Sequence, residues 1–264
     1  MMLFQNAMTF LDAPSQERVR RFHHRADACR CLIGRLLPRV LLSEQRGVSA
    51  EKIHFATTGA GKPYFASISF THFVADFGPP PIAFNVSHDN ELVAMASAPG
   101  EHGPPAFLIG VDVMMVQVPT RGAEEGLTDA EKHLVWGDVP ENEALSRFYL
   151  IWTIKEAYIK AIGLGLGFEP SRIEYNMQPN TVAVDGEVAT GWRFETSEVM
   201  VNEKAYRITV AQFVGSGNGS GTVVPLVQGQ IVYSGASCFV RKALHQLKEL
   251  ERDDAGNNAT RDGK

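Results

Sequence analysis

The sequence contains few cysteines and no long apolar segment. Its cysteines, Cys29, Cys31 and Cys238, have no zinc-binding spacing and cannot all pair, so we expect a reducing environment. No run of about 18 apolar residues is present, and the N-terminus lacks the basic segment and cleavage site of a secretory signal. The sequence therefore predicts neither a membrane span nor secretion, and it favours a cytoplasmic protein.

A large excess of one charge is also missing. The formal net charge is −5, which is too small for a general nucleic-acid-binding protein. Its distribution is uneven, because residues 1–62 carry ten Lys or Arg against five Asp or Glu, and the remainder carries fifteen against twenty-five. The N-terminal part is therefore predicted to attract an anion, while about half of its arginines are expected to do no more than solvate a helix face.

Helical and strand patterns follow one another along a chain of ordinary globular composition, 44% hydrophobic and 21% charged. A helical part followed by strands occurs twice, in residues 1–108 and again in residues 109–250. Residues 251–264 are polar and are predicted to form a disordered tail. We therefore predict an α+β protein of two similar subdomains with a cleft between them.

Residues 148–162 predict a buried helix, because apolar residues surround almost the whole helical wheel. This helix nevertheless contains Lys155, Glu156 and Lys160. Glu156 and Lys160 are spaced i,i+4 and share one face, while Lys155 points about 100° away. On a surface helix this spacing would be an ordinary ion pair. In a buried helix, a carboxylate with a lysine one turn later favours a divalent-metal ligand beside a phosphate-binding cation.

Asp112 interrupts an almost wholly apolar strand over residues 107–114. A carboxylate in such a strand needs a partner, because an ion that leaves water loses its hydration. Capping of the next turn is one explanation for this residue. A metal ion shared with Glu156 is the functional alternative.

Asn85, Ser87 and His88 form a polar group at the end of a predicted buried strand. No acidic residue stands in series with the serine and histidine, so a serine-hydrolase triad is unsupported and anion recognition is favoured. The glycine-rich loop that ends in Lys62 also suggests phosphate binding, but its spacing is not that of a nucleotide-triphosphate P-loop.

Four sequence motifs together resemble one family. They are Gly61-Lys62-Pro63, Phe84-Asn85-Val86-Ser87-His88, Ile109-Gly110-Val111-Asp112 and Trp152-Thr153-Ile154-Lys155-Glu156-Ala157-Tyr158-Ile159-Lys160. Their order and separation resemble the 4′-phosphopantetheinyl transferases of the larger, monomeric surfactin type, and most of all the eukaryotic aminoadipate-semialdehyde dehydrogenase phosphopantetheinyl transferase type. The resemblance covers about residues 14–215. It implies a monomer with two similar α+β subdomains in a pseudo-two-fold arrangement.

The resemblance implies transfer of 4′-phosphopantetheine from coenzyme A to a serine of an acyl or peptidyl carrier domain, with release of adenosine 3′,5′-bisphosphate. Such a transfer requires neutralisation of a diphosphate and a held nucleophile. Asp112 and Glu156 would then hold Mg²⁺, Lys160 would stabilise charge on the leaving group, and Glu156 would be the general base. The implied contacts to the coenzyme are Arg18, Thr57, Lys62, Asn85, Ser87, His88, Lys155 and Lys160.

Two departures from the family pattern affect these expectations. Bacterial members of this type have a second carboxylate two residues after the strand aspartate, where this chain has Met114, as the eukaryotic type also does. Methionine does not bind Mg²⁺, so either water or Asp89 is expected to fill that coordination position; Asp89 as a simple turn residue is an equal alternative. The segment before Pro14 is also short for the family, which suggests a truncated gene model or a missing edge strand.

Other activities stay open at this stage. The chain is alternatively a coenzyme A or carrier-protein binding module without catalysis, or an acyltransferase that uses coenzyme A thioesters. The resemblance places a carrier docking groove near residues 115–150 without indicating which carrier is preferred. Mn²⁺ is an alternative to Mg²⁺, because both accept oxygen ligands in octahedral geometry.

Overall fold

The computed structural model describes residues 2–68, 81–119, 122–227 and 231–261. Over these ranges the α-helices are α1 (Met2–Met8), α2 (Ala13–Arg20), α3 (Arg25–Arg46), α4 (Asp129–Trp136), α5 (Glu141–Ile162) and α6 (Ala236–Arg261). The strands are β1 (Ile53–Thr57), β2 (Pro63–Ile68), β3 (Ile82–Asp89), β4 (Leu92–Pro99), β5 (Ile109–Met115), β6 (Ile173–Asn176), β7 (Thr181–Val184), β8 (Glu187–Val188), β9 (Trp192–Val201), β10 (Lys204–Phe213) and β11 (Val223–Pro225). This mixture confirms the α+β class. As far as the chain is described, none of its helices is both long and apolar enough to cross a bilayer.

The chain divides into two compact units, and neither is continuous in sequence. The first contains Met1–Ala56, Phe65–Ile82 and Val232–Lys264, and the second contains Thr57–Tyr64 and Ala83–Ile231. Residues 83–108 therefore group with the C-terminal half, and residues 232–250 with the N-terminal half, unlike the division expected after residue 108. The pseudo-two-fold relation of two subdomains stays a prediction.

The core of the first unit joins the N-terminal helices to the C-terminal helix. Leu32 and Leu36 of α3 lie in one buried cluster with Leu244 and Leu247 of α6. Apolar side chains of α1 and α2 complete this cluster. The N-terminal unit therefore depends on a helix that the chain contributes about 190 residues after α3 ends.

Helix α6 continues well beyond the end that its apolar pattern suggests. The carboxylate of Asp254 accepts the backbone N–H of Ser49 at 2.8 Å and pairs with Lys52 Nζ at 2.9 Å. These contacts attach a polar segment to the first unit. Residues 251–261 belong to α6, where the sequence predicts a disordered tail, and the rest of the predicted tail, residues 262–264, lies outside the described residues.

One arginine of the basic N-terminal part is a structural residue. Helix α3 passes through Pro38, where the sequence suggests a kink or an end, and the following Arg39 is only 3% exposed. Arg39 pairs with Asp12 at 2.8 Å, donates to the carbonyl of Ala50 at 2.5 Å, and lies over the ring of Phe55. Its charge is therefore used inside the first unit and does not contribute to an anion-attracting surface.

A four-stranded sheet in the order β11-β9-β10-β5 forms the centre of the second unit. Strand β10 is antiparallel to β5 and β9, and α5 packs on β5 and β10. Gly110 of β5 permits this approach, because a Cβ at that position would lie 2.0 Å from the carbonyl oxygen of Ala157. The strand that carries Asp112 and the helix that carries Glu156 are therefore held in close contact.

Local sequence patterns account for several elements of this unit. Thr128 and Glu131 form a capping box at the start of α4, and α5 begins after Pro140 and is capped by Gly163, whose φ is 75°. Strands β3 and β4 pair with each other, as do β6 and β7. The segment 215–222 is hydrogen-bonded to the chain around β9, since the N–H of Gly191 donates to the carbonyl of Gly219.

Candidate active site

Asp112 is the centre of the candidate site, and it is 3% exposed on β5. Its Oδ1 atom accepts hydrogen bonds from Lys160 Nζ at 2.5 Å and from Ser87 Oγ at 3.0 Å. Lys160 Nζ also donates to Ser87 Oγ at 2.9 Å. Residues from β3, β5 and α5 thus form a closed triangle around one carboxylate oxygen.

The other carboxylate oxygen of Asp112 has a different environment. Asp112 Oδ2 is buried and has no hydrogen-bond partner in the described part of the chain. A buried polar atom without a partner costs free energy, and a charged one costs more. A buried carboxylate oxygen without a partner is expected where a side chain binds a cation.

Glu156 shares the environment of Asp112. Burial raises the pKa of Glu156 above its ordinary value of 4.5, the negative charge of Asp112 raises it further, and Lys160 opposes both effects. Glu156 therefore lies close enough to Asp112 and Lys160 to interact electrostatically. Two carboxylates with one ammonium group carry a net negative charge, and this donor set fits a divalent cation that prefers oxygen ligands.

The predicted third ligand does not join this pair. Within residues 2–68, 81–119, 122–227 and 231–261, no three Asp, Glu, His or Cys side chains converge as a metal site. Asp89 Oδ2 instead accepts the backbone N–H of Met115 at 2.7 Å and the side-chain amide of Asn90 at 3.1 Å. The set of Asp112, Glu156 and Asp89 is therefore not assembled, because the Asp89 carboxylate is bonded to the end of β5.

Lys155 is a second correction, because it is structural where a coenzyme contact was expected. Its side chain is 1% exposed and pairs with fully buried Glu131 at 2.6 Å. The ammonium also donates to the carbonyls of Gly126, Pro170 and Ile173 at 3.0, 3.1 and 2.5 Å. All of its donors are thus used inside the protein, and none is left for a phosphate.

Lys62 is likewise turned into the protein. Its ammonium donates to the carbonyls of Phe107, Ile109 and Ala161 at 2.5, 3.0 and 2.7 Å. Burial lowers the pKa of Lys62 to about 8, so the group is still protonated at neutral pH. The predicted contact of this side chain with coenzyme A is not supported, although the preceding loop keeps its place beside the end of α5.

Asn85 is also buried, at 6% exposure, and its Oδ1 accepts the backbone N–H of Val111 at 2.9 Å. The side-chain oxygen of Asn85 is therefore used by β5, and the coenzyme contact of this residue stays a prediction. Thr57 and His88 are both exposed, at the ends of β1 and β3. Arg18 is exposed on α2 of the first unit. The last three residues are accessible to a ligand, and their role stays a prediction.

Sequence reasoning missed two partners in this region. Ser87 was expected to bind an anion, yet its hydroxyl bonds to Asp112 and Lys160. Glu131 lies in the first turn of α4, where its capping pattern gives no indication that it is buried. A signal was available, because Lys155 lies in an apolar stretch of α5 and so required a nearby carboxylate.

Comparison with known proteins supports the assignment that these motifs suggest. Residues 2–100 match the family model described as 4′-phosphopantetheinyl transferase, N-terminal, and residues 108–211 match that of the 4′-phosphopantetheinyl transferase superfamily. The chain is 45% identical to a 4′-phosphopantetheinyl transferase of Paxillus involutus, over 93% of this chain and 94% of the relative. It is 30% identical to the L-aminoadipate-semialdehyde dehydrogenase-phosphopantetheinyl transferase of Mus musculus, over 73% and 65%. A 4′-phosphopantetheinyl transferase of Bacillus subtilis is 30% identical over 60% and 63%. The chain therefore belongs to the 4′-phosphopantetheinyl transferase superfamily, a family of transferase enzymes.

Proposed function

We propose that this chain transfers 4′-phosphopantetheine from coenzyme A to a serine hydroxyl of an apo acyl or peptidyl carrier domain. One observation carries the proposal. Asp112 has one oxygen bonded to Lys160 and Ser87, and its other oxygen is buried without a partner beside Glu156. This arrangement is an incomplete cation site, and a diphosphate substrate is what a cation at that place would bind.

Asp112 Oδ2 and the Glu156 carboxylate would hold the divalent ion, and water would complete the coordination left open by Met114. When bound, Mg²⁺ or Mn²⁺ supplies positive charge that neutralises the diphosphate. The hydrogen bond from Ser87 to Asp112 Oδ1 fixes the orientation of the carboxylate. It leaves Asp112 Oδ2 available for the cation. The role of the protein is therefore mainly to position charge.

The serine oxygen of the carrier would form a bond to the phosphorus next to pantetheine. The bond from that phosphorus to the bridging oxygen would break, and adenosine 3′,5′-bisphosphate would leave with the bonding electrons. Glu156 would accept the proton of the serine hydroxyl as the general base. Lys160 has a third N–H beyond its two bonds, and it would stabilise the charge on the leaving phosphate.

The accessible residues Thr57, His88 and Arg18 are proposed contacts for the nucleotide part of coenzyme A. The loop from residue 57 and the end of β3 would form two walls of this nucleotide site. Carrier docking is proposed near residues 115–150. We further propose a monomeric protein that acts in the cytoplasm, where coenzyme A and carrier domains meet.

Mass spectrometry of a carrier domain tests this function. The protein is incubated with apo-carrier, coenzyme A and Mg²⁺, and a mass gain of one phosphopantetheine group on the carrier is expected. Glu156→Gln and Asp112→Asn should abolish the gain, whereas Glu187→Gln, which changes an exposed carboxylate on β8, should leave it intact. An unmodified carrier with folded wild-type protein would overturn the proposal.

A second candidate is a coenzyme A or carrier-binding module without catalysis. It would be favoured if the loss of an acidic ligand at Met114 leaves the metal ion too weakly bound, although the eukaryotic type also has methionine at this position. The same experiment separates the two, because a module would bind coenzyme A or the carrier in calorimetry and give no mass gain. An acyltransferase would instead move an acyl group and leave pantetheine on the nucleotide.

A further inference from the structure

Strand β5 is held along its outer edge by side chains. It lies at one end of the four-stranded sheet, with β10 on one side, while β3 pairs with β4 in a separate two-stranded sheet. The backbone N–H groups of Val111 and Met115 point away from β10 and need acceptors. Asn85 Oδ1 accepts the first at 2.9 Å, and Asp89 Oδ2 accepts the second at 2.7 Å.

Ser87 lies between Asn85 and Asp89 on β3, and it contacts the candidate site. Side chains at alternate positions of a strand share one face, so Asn85, Ser87 and Asp89 all project from the same side of β3. Ser87 bonds to Asp112 Oδ1, and its two neighbours bond to the backbone on either side of Asp112. A slip of β3 along β5 would break all three contacts together.

The end of β5 also lies near α5. Tyr149 of α5 is 3% exposed, and the backbone of Gln117 is close enough to its hydroxyl to lower its pKa in part. The negative charge of Asp89 is close enough to contribute to the raised pKa of this tyrosine, although burial is the larger cause. Met115 is thus held from β3 at the point where the chain leaves the sheet, and Tyr149 of α5 lies nearby.

We propose that Asp89 and Asn85 are positioning residues, which fix the register of β5 through its outward N–H groups and so place Asp112 against Ser87 and Lys160. Asp89 acts through Met115 and does not bind the metal. The inference rests on the proposed transferase function for its kinetic consequence. The contact itself is independent of catalysis.

The matched variants Asp89→Asn and Asp89→Leu test the proposal. Asparagine keeps a carbonyl oxygen that accepts the Met115 N–H, and leucine removes it. We expect Asp89→Leu to lower kcat about tenfold or more with a smaller change in the KM for coenzyme A, and Asp89→Asn to restore kcat to within about twofold of wild type. The Mg²⁺ concentration for half-maximal rate should be the same in Asp89→Asn and in the wild type.

Amide hydrogen exchange provides a readout that does not depend on activity. The Met115 amide should exchange at least about tenfold faster in Asp89→Leu and unchanged in Asp89→Asn. The Val116 amide, which donates to Ala205 across the sheet, is the internal control. If Asp89→Leu does not fold, Asp89→Ala removes the acceptor without added bulk.

Three outcomes would overturn the positioning role. The first is a tenfold higher Mg²⁺ requirement in Asp89→Asn, which would make Asp89 a metal ligand. The second is an unchanged kcat in Asp89→Leu. The third is an unchanged exchange rate of the Met115 amide in Asp89→Leu. If the wild type does not modify a carrier, the transferase proposal fails, while the exchange experiment still decides whether Asp89 holds β5.

Discussion

Helix α5 carries two lysine–carboxylate pairs of nearly equal length in very different surroundings. Lys155 and Glu131 are 2.6 Å apart with side-chain exposures of 1% and 0%, and every donor of the ammonium has an acceptor. Lys160 and Asp112 are 2.5 Å apart, but Lys160 is 30% exposed and Asp112 keeps an oxygen without a partner. The first pair is complete and holds the fold, whereas the second is incomplete and can accept a ligand.

This difference explains how one helix serves structure and chemistry at adjacent positions. Residues 155 and 160 point in different directions on α5, so each enters its own environment. Glu131 belongs to the capping box of α4 and also accepts the N–H of Tyr175, which leaves no capacity for a ligand. A short distance between charges therefore does not identify a site. The second pair differs because it includes a buried carboxylate oxygen that has no partner in the described residues.

The largest expected effect comes from breaking the complete pair. Lys155→Met leaves the Glu131 carboxylate buried without its cation and three carbonyls without a donor, so the free energy of unfolding should fall by about 3–5 kcal/mol. Chemical denaturation measures the loss. The double variant with Glu131→Gln removes both charges and should recover part of it; a single variant within about 1 kcal/mol of wild type would contradict this reading.

A change next to the incomplete pair, Lys160 and Asp112, should lower activity without lowering stability. Glu156→Gln removes a buried negative charge that lies near Asp112, so stability should stay the same or rise. The rate of carrier modification should nevertheless fall at least about a hundredfold, because the proposed base and cation ligand are both lost. Rates and denaturation midpoints measured on one preparation test both parts. A variant that is clearly less stable yet nearly fully active would reverse the comparison.

Lys62 extends the comparison to a lysine that is buried with carbonyl acceptors and without a contacting carboxylate in the described residues. Its pKa is lowered from 10.5 to about 8, so between these values the unfolded chain binds more protons than the folded one. The wild type should therefore gain stability relative to Lys62→Met as the pH rises through that window, by about 1.4 kcal/mol per pH unit at most. Below pH 8 the difference between the two proteins should be constant. A constant difference up to pH 10 would show that burial does not lower this pKa.

The smallest effect is expected for a pair of the same length at the surface. Arg172 and Asp185 are 2.6 Å apart, and their side chains are 49% and 53% exposed. Asp185→Asn should leave the denaturation midpoint within the scatter of replicates, because water and salt screen an exposed pair. A shift comparable to that of Lys155→Met would mean that distance outweighs burial in this protein.

Local sequence patterns were sufficient for much of the second unit. The capping box at Thr128, the start of α5 after Pro140 and its end at Gly163 follow from residues within a few positions of each other. The sequence also predicts that Asp112 and Glu156 lie near each other. One is an acidic residue in an apolar strand and the other an acidic residue in an apolar helix, so each requires a partner.

The roles of individual lysines could not be predicted in this way. Lys62, Lys155 and Lys160 all lie in family motifs, yet their acceptors come from segments up to 99 residues away in the chain. The sequence also does not show that α6 completes the core of the first unit, since its apolar stripe is compatible with any apolar neighbour.

The sequence by itself determined the ends of α4 and α5 and which buried charges required partners, because these depend on side-chain periodicity, capping and the cost of leaving water. Only the tertiary structure decided which partner each charge received. Asp89 and Asp112 are both carboxylates at β-strands, but one is bonded to a backbone N–H and the other keeps a free oxygen. That distinction depends on contacts between segments that are remote in sequence, which periodicity does not encode.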